Sequence, residues 1–202
     1  MRTRPWNRGL LALLALAVAL GAFAASASRG NSATTACGAP VVVKAVDGGK
    51  VAINQYIQDG MHFAPGTVNV KSGCKLTFEY DPAMVMGPPT DPHTLSIIPA
   101  GELPKTLDEV NNCTKACSAA LGHLKSPNPQ TAGSPQNPIV HFVLHNGKPT
   151  TSMTLGAVGD SVALTPAKAH QHITVTVTAK PGTVLHFLCA VHPWMQGKIV
   201  VS

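Results

Sequence analysis

Apolar and polar residues alternate with a period of two in several short runs. Leu76, Phe78 and Tyr80 interleave with Lys75, Thr77 and Glu79; Ile173, Val175 and Val177 interleave with Thr174, Thr176 and Thr178. Leu185, Phe187 and Cys189 share one parity, as do His93, Leu95 and Ile97. A period of two is the mark of a strand covered on one face. Further strands are expected at 41–43 and 51–53, which flank the turn cluster Asp47-Gly48-Gly49 as a hairpin would, and at Val68 and Val70 before Lys71-Ser72-Gly73. A closing strand is expected over 198–201, after Gly197, and another over 141–145, with Asn146-Gly147 turning behind it. Strands about every ten residues with Gly and Pro turns between them predict an all-β, antiparallel sandwich or barrel.

The stretch from about 100 to 150 breaks this rhythm. Thr106 and Glu109 fit a capping box, predicting a helix from about Leu107 with Gly122 as its stop. Residues 126–138 are rich in Pro, Asn and Ser and read as loop. The sandwich is therefore expected to carry a partly helical insertion.

Residues 1–27 read as an export signal: Arg2, Arg4 and Arg8, then an apolar run, then Ala25-Ser26-Ala27 as a small-residue cleavage site. Residues 28–36 read as a flexible leader, and 37–202 as one domain, which the 202-residue length permits. The apolar run is short for a membrane span, so the mature chain is not expected to cross a bilayer; an uncleaved anchor is the alternative, since the run is near the lower limit for spanning. With 12% charged and 45% hydrophobic residues the chain is neither disordered nor a coiled coil. Its formal charge of +6 shrinks to +3 once the three leader arginines are removed, since twelve basic residues then face nine acidic ones. No basic run tracks phosphates, so no nucleic-acid partner is expected.

The chemistry concentrates in Leu185-His186-Phe187-Leu188-Cys189-Ala190-Val191-His192-Pro193-Trp194-Met195-Gln196-Gly197. Cys189, His192 and Met195 stand at C-x2-H-x2-M where a buried strand ends. Thiolate, imidazole and thioether form a soft set suited to copper, whereas calcium or magnesium would want oxygen. Pro193 restricts the turn that brings these donors together. A trigonal copper site needs a second imidazole, and His93 is the candidate, because its parity with Leu95 and Ile97 sends its ring into the core. Export to an oxidising compartment also leaves one of five cysteines unpaired, which needs an explanation such as a metal.

Over most of residues 37–202 the chain resembles the cupredoxins, the type 1 blue copper proteins. The loop CAVHPWMQGKIVV is similar to that of the amicyanins in its spacing and in the Pro after the His; Met61, Phe63, Val68, Val70 and Lys71-Ser72-Gly73-Cys74-Lys75 look more like azurin. The resemblance implies a Greek-key cupredoxin-like sandwich, with one copper ion held by His93, Cys189 and His192 and by Met195 as weak axial ligand. It implies a Cys37–Cys74 disulfide, with Cys113 and Cys117 paired in the insertion and Cys189 free; by itself the sequence permits three connectivities among the four. Thr94 stands where many members have Asn, so the hydrogen bond between the two ligand-bearing loops is expected to be weaker or rerouted. Pro92 stands where azurins place Gly, which argues against a carbonyl fifth ligand.

The function implied is one-electron transfer by an exported, monomeric, non-enzymatic protein without a small-molecule substrate. Its redox protein partner would dock near His192, on a patch lined by Ala190, Pro193 and Trp194. The alternative is a copper carrier, helped by a loop holding Met84 and Met86. An oxidase or reductase would need a substrate-binding copper centre that one domain does not visibly supply. Cys113, Cys117 and His123 do not have the C-x-x-C-H spacing of a haem site. His141 with His145 and His170 with His172 read as solvated strand faces rather than a second metal site. His186 is expected on an outer face, and His62 has no assigned role.

Overall fold

In the computed structural model, described over residues 37–46, 60–81 and 91–202, the alternating runs form strands in the places expected. The export segment, the leader, the turn at 47–49 with its second strand at 51–53, and the Met84/Met86 loop lie outside the described residues. The strands are β1 (Val41–Val46), β2 (His62–Ala64), β3 (Thr67–Val70), β4 (Lys75–Tyr80), β5 (His93–Ile98), β6 (Val143–His145), β7 (Lys148–Pro149), β8 (Thr154–Leu155), β9 (Ser161–Leu164), β10 (His172–Val177), β11 (Val184–Leu188) and β12 (Gln196–Val201). They build one sheet in the order β2-β1-β4-β10-β8 and a second in the order β3-β12-β11-β5-β9-β6-β7. The architecture is the β-sandwich with a helical insertion that the sequence predicts. Its sheets are mixed rather than wholly antiparallel: β1 runs parallel to β4, β10 to β8, and β12 to β3.

The same-parity apolar residues of both sheets meet between them. Leu76, Phe78, Val175 and Val177 face Leu95, Ile97, Leu164, Phe187 and Ile199, all nearly or wholly buried. Phe63 bridges the layers, edge-on to Phe78 at 5.9 Å and to Phe187 at 5.0 Å. Each such side chain contributes roughly 1.5–3 kcal/mol by leaving water, which fixes the register of the strands that carry the site. The turn Asn146-Gly147 has positive φ at both positions, 50° and 73°, the conformation that a two-residue hairpin demands.

The insertion departs from expectation at its end. Helix α1 (Leu107–Asn111) starts with the capping box, Thr106 Oγ1 accepting from the Glu109 amide at 3.2 Å and Glu109 Oε2 from the Thr106 amide at 3.2 Å. It does not run on to Gly122. The chain reverses at the Cys113–Cys117 disulfide and passes through a 3₁₀ turn, Ala116–Ser118. A second helix, α2 (Ala119–His123), then contains Gly122 rather than stopping at it. Gly122 is there because a Cβ would lie 2.8 Å from the Gly147 carbonyl oxygen and from Leu144 Cδ1. Ala116, Cys117 and Ala120 pack on Ile98, Leu188 and Ala190, while Leu124 and Ile139 pack on Ala163. The insertion thus covers the outer side of β5, β9 and the end of β11, and every residue of β5 and β9 is buried. No helix among the described residues is long and apolar enough to cross a membrane.

Candidate metal centre

Residue His93 opens β5 and Cys189 follows the last residue of β11, two strands paired antiparallel through Phe187 and Ile97. Their side chains therefore emerge at one pole of the core. Beyond Cys189 the chain turns back on itself: the Cys189 amide donates to the Met195 carbonyl at 2.9 Å, and the Met195 amide to the His192 carbonyl at 2.9 Å. Two backbone bonds thus close a small ring that carries Cys189, His192 and Met195. Gln196 clamps it from outside, its Nε2 donating to the Pro193 carbonyl at 3.0 Å and, in the insertion, to the Pro104 carbonyl at 2.8 Å.

His93, Cys189 and His192 converge, and among the described residues they form the one cluster of three His, Cys, Asp or Glu donor atoms. His93 Nδ1 and His192 Nδ1 are 3.2 Å apart; Cys189 Sγ lies 3.9 Å from the first and 3.7 Å from the second. Three points so separated share a centre about 2.1 Å from each, between the roughly 2.0 Å and 2.3 Å that zinc, the nearest reference ion, makes to imidazole nitrogen and thiolate sulfur. The donor triangle therefore fits a metal ion without moving. His93 and Cys189 are fully buried, Met195 is 1% exposed in the main core, and His192 is half-buried.

Electrostatics favour the ligand form of the thiol. Burial pushes the Cys189 pKa up, but hydrogen bonding and charge from His192 and His93 outweigh it and hold the group well below the usual thiol range. The sulfur also accepts the Thr94 amide at 3.3 Å. The tie between the two loops, expected to be weaker or rerouted with Thr94, runs through the threonine hydroxyl and is short: Thr94 Oγ1 accepts the Ala190 amide at 2.8 Å. A hydroxyl on a shorter side chain reaches because β5 and the end of β11 are adjacent in the sheet.

The disulfides are Cys37–Cys74 and Cys113–Cys117, and Cys189 is free. The surface expected around His192 is altered by the insertion. Ala190 is 6% exposed beneath Ala116, Cys117 and Ala120, and Pro193 is buried as well. Trp194 remains half-buried, edge-on to His192 with ring centroids 5.2 Å apart. A cleft of about 530 Å³ runs between this turn and the insertion, past Val191, Trp194, Cys113 and Pro129.

The remaining histidines are scattered. His145 Nδ1 pairs with buried Asp160 at 2.7 Å, His170 stacks on Phe142 at 4.1 Å, and His62 Nδ1 bonds the Gly60 carbonyl at 2.7 Å. His172 is exposed and His186 half-buried. Sequence reading gave no supporting role to three residues around the site: Gln196; Asp160, which accepts the amides of Asn146, Gly156 and Ala157; and His123, weighed only against a haem spacing, which is completely buried. Only Gln196, directly after the last donor, carried a positional signal.

No family model and no curated protein matches the chain. Among solved structures it is similar to a purple cupredoxin from Nitrosopumilus maritimus, with 13% identity over 80% of this chain and 99% of that one and a TM-score of 0.37. It is similar to auracyanin from Roseiflexus castenholzii, with 15% identity over 83% and 99% and a TM-score of 0.40. Auracyanin A, a blue copper protein from Chloroflexus aurantiacus, matches at 16% over 81% and 99%, with a TM-score of 0.39. These are distant likenesses, and the metal reading stands on the donor atoms above. The fold itself stands on the chain's own strand order, two mixed sheets in which β1 and β3 each lie parallel to a later strand.

Proposed function

We propose that the chain is an exported type 1 copper protein that carries single electrons between redox partners. His93, Cys189 and His192 would be the equatorial ligands and Met195 the weak axial one. The observation that carries this reading is the triangle of two imidazole nitrogens and one low-pKa thiol, sized for a metal ion and backed by a buried methionine. Two imidazoles, a thiolate and a thioether select copper, and a trigonal set of two nitrogens and one sulfur is acceptable to both of its oxidation states. Bound copper would supply reversible one-electron chemistry.

The chain's own residues make that exchange fast by refusing to move. The backbone bonds from Cys189 to Met195 and from Met195 to His192, together with the Gln196 clamp, hold the turn. The Thr94 amide draws charge from the Cys189 sulfur, which tunes the potential. His192 is the half-buried member of the triad, so its outer edge beside Trp194 is the route for an electron to reach a docked redox protein. Such an encounter needs only a small interface. Two disulfides among the described residues and the pattern of residues 1–27 support export. Burial of His93, Cys189 and Met195 favours a shuttle that keeps its metal over a carrier that hands it on.

Visible absorption and paramagnetic resonance of the copper-loaded protein test this, beside Cys189→Ser. An intense thiolate-to-Cu(II) band, lost in the variant, and reversible cycling without metal loss are expected. Colourless Cu(I) that passes readily to a chelator would replace the shuttle with a carrier, and binding of zinc alone would end the copper reading.

A further inference from the structure

Behind the donor triangle runs a row of buried polar groups that ends in the insertion. His123 on α2 has its Nδ1 2.6 Å from the His141 carbonyl oxygen and its Nε2 2.7 Å from Ser161 Oγ. Ser161 Oγ lies 2.7 Å from Ser96 Oγ, and Ser96 Oγ 2.9 Å from Thr94 Oγ1, which accepts the Ala190 amide. His123, Ser161, Ser96 and Thr94 are each at most 1% exposed.

The proton order along this row follows from its two ends. A carbonyl oxygen only accepts, so His123 Nδ1 carries the proton and the neutral ring's Nε2 presents a lone pair. Ser161 must then donate to His123, Ser96 to Ser161, and Thr94 to Ser96, each hydroxyl using its single proton once. Thr94 Oγ1 is thereby left with a lone pair facing the Ala190 amide, next to the sulfur of Cys189. Without an acceptor at position 123 the hydroxyls lose their fixed direction, and the Thr94 proton can turn toward the Ala190 N–H, donor against donor, in a place without solvent.

We propose that His123 is a positioning residue for the metal centre: through Ser161, Ser96 and Thr94 it fixes the amide that holds the ligand turn against β5. The metal half of this statement rests on the copper reading above; the hydrogen-bond half does not. The insertion is therefore a second support for the site, reaching it from the face opposite the main core.

Three variants of the full chain separate this role from simple packing. His123→Leu removes the acceptor, Ser96→Ala cuts the row and leaves the insertion's own contacts alone, and His123→Gln keeps an acceptor. The first readout is amide hydrogen exchange in the metal-free protein. Exchange at Ala190 should speed by about tenfold in His123→Leu and in Ser96→Ala, stay close to wild type in His123→Gln, and be unchanged at Leu76 in the other sheet. The second is the reduction potential of the copper-loaded protein, which should shift in the same direction in His123→Leu and Ser96→Ala. Faster Ala190 exchange in His123→Leu with none in Ser96→Ala would show loosening of the insertion and overturn the proposal; so would unaltered exchange in both. If wild type binds no copper, the function proposed above fails, while the exchange experiment still decides whether the row positions the turn.

Discussion

Lowering the pH should weaken the fold through His123 by an amount the structure sets. Burial strips the imidazolium of water; the hydrogen bond to the His141 carbonyl offsets this in part, and the charge of the His141 ring adds a smaller push the same way. The result is a pKa of about 4 against the ordinary 6.5. The unfolded chain takes up this proton as pH falls through 6.5, whereas the folded chain refuses it until about 4. Stability is thus full above the upper value and is lost progressively down to the lower one, by about 3 kcal/mol in all. That is a large share of the 5–15 kcal/mol typical of a domain. Urea unfolding of metal-free wild type and His123→Gln at pH 7, 5.5 and 4 isolates the contribution, because the carboxylates and the other histidines are common to both. Wild type should lose close to 3 kcal/mol more than the variant over this range. Parallel stability curves, or a His123 ring that titrates near 6.5 by nuclear resonance, would refute the reasoning.

Three other perturbations follow from packing and chain connectivity. Gly197 on β12 lies opposite Phe187, and a Cβ there would stand 2.7 Å from Phe187 Cε2 and 2.8 Å from the Gly66 carbonyl oxygen; Gly197→Ala should cost about 2–3 kcal/mol in urea unfolding, and a loss near zero would show that the sandwich yields at this point. Asp160→Ala leaves three backbone amides and the His145 ring without their acceptor, so a loss of about 3 kcal/mol is expected, with unaltered stability as the contrary result. Replacing Cys37 and Cys74 by Ala frees a loop of sequence separation 37 and should cost about 4 kcal/mol, against about 2 kcal/mol for the Cys113 and Cys117 pair at separation 4; the opposite order would contradict the loop-entropy account.

Much of the sandwich was legible because β4, β10 and β11 face the core on one side and show it as alternation. The donor triangle was legible for the same reason: His93 and Cys189 continue the inward parity of their strands to one pole. What escaped was the consequence of covering the other side. Thr94 and Ser96 alternate with the core residues of β5 and look solvent-facing, yet both are buried. Parity reports which face a side chain takes, not what lies against that face. β9 was missed because Ser161–Leu164 is buried on both sides and so shows no alternation. The helix was carried too far because Gly122 reads as a stop, while its actual role is a close approach to Gly147 and Leu144, residues more than twenty positions away.

That second cover changes how the pole of the sandwich is built. A metal turn laid on an open sheet would have the core on one side and water on the other, and its amides would find partners among mobile solvent. Here Ala116, Cys117 and Ala120 seal Ala190, so the amide beside the thiol has a fixed hydroxyl as its partner and that hydroxyl has a fixed chain behind it. The same seal narrows the ways in. Of the patch expected around His192, Ala190 and Pro193 are buried and only line the cleft along the insertion, while His192 and Trp194 stay half-buried. In the function proposed above, a fixed donor turn and a half-buried His192 would both follow from one feature, the packing of α2 and its 3₁₀ turn against β5 and the end of β11.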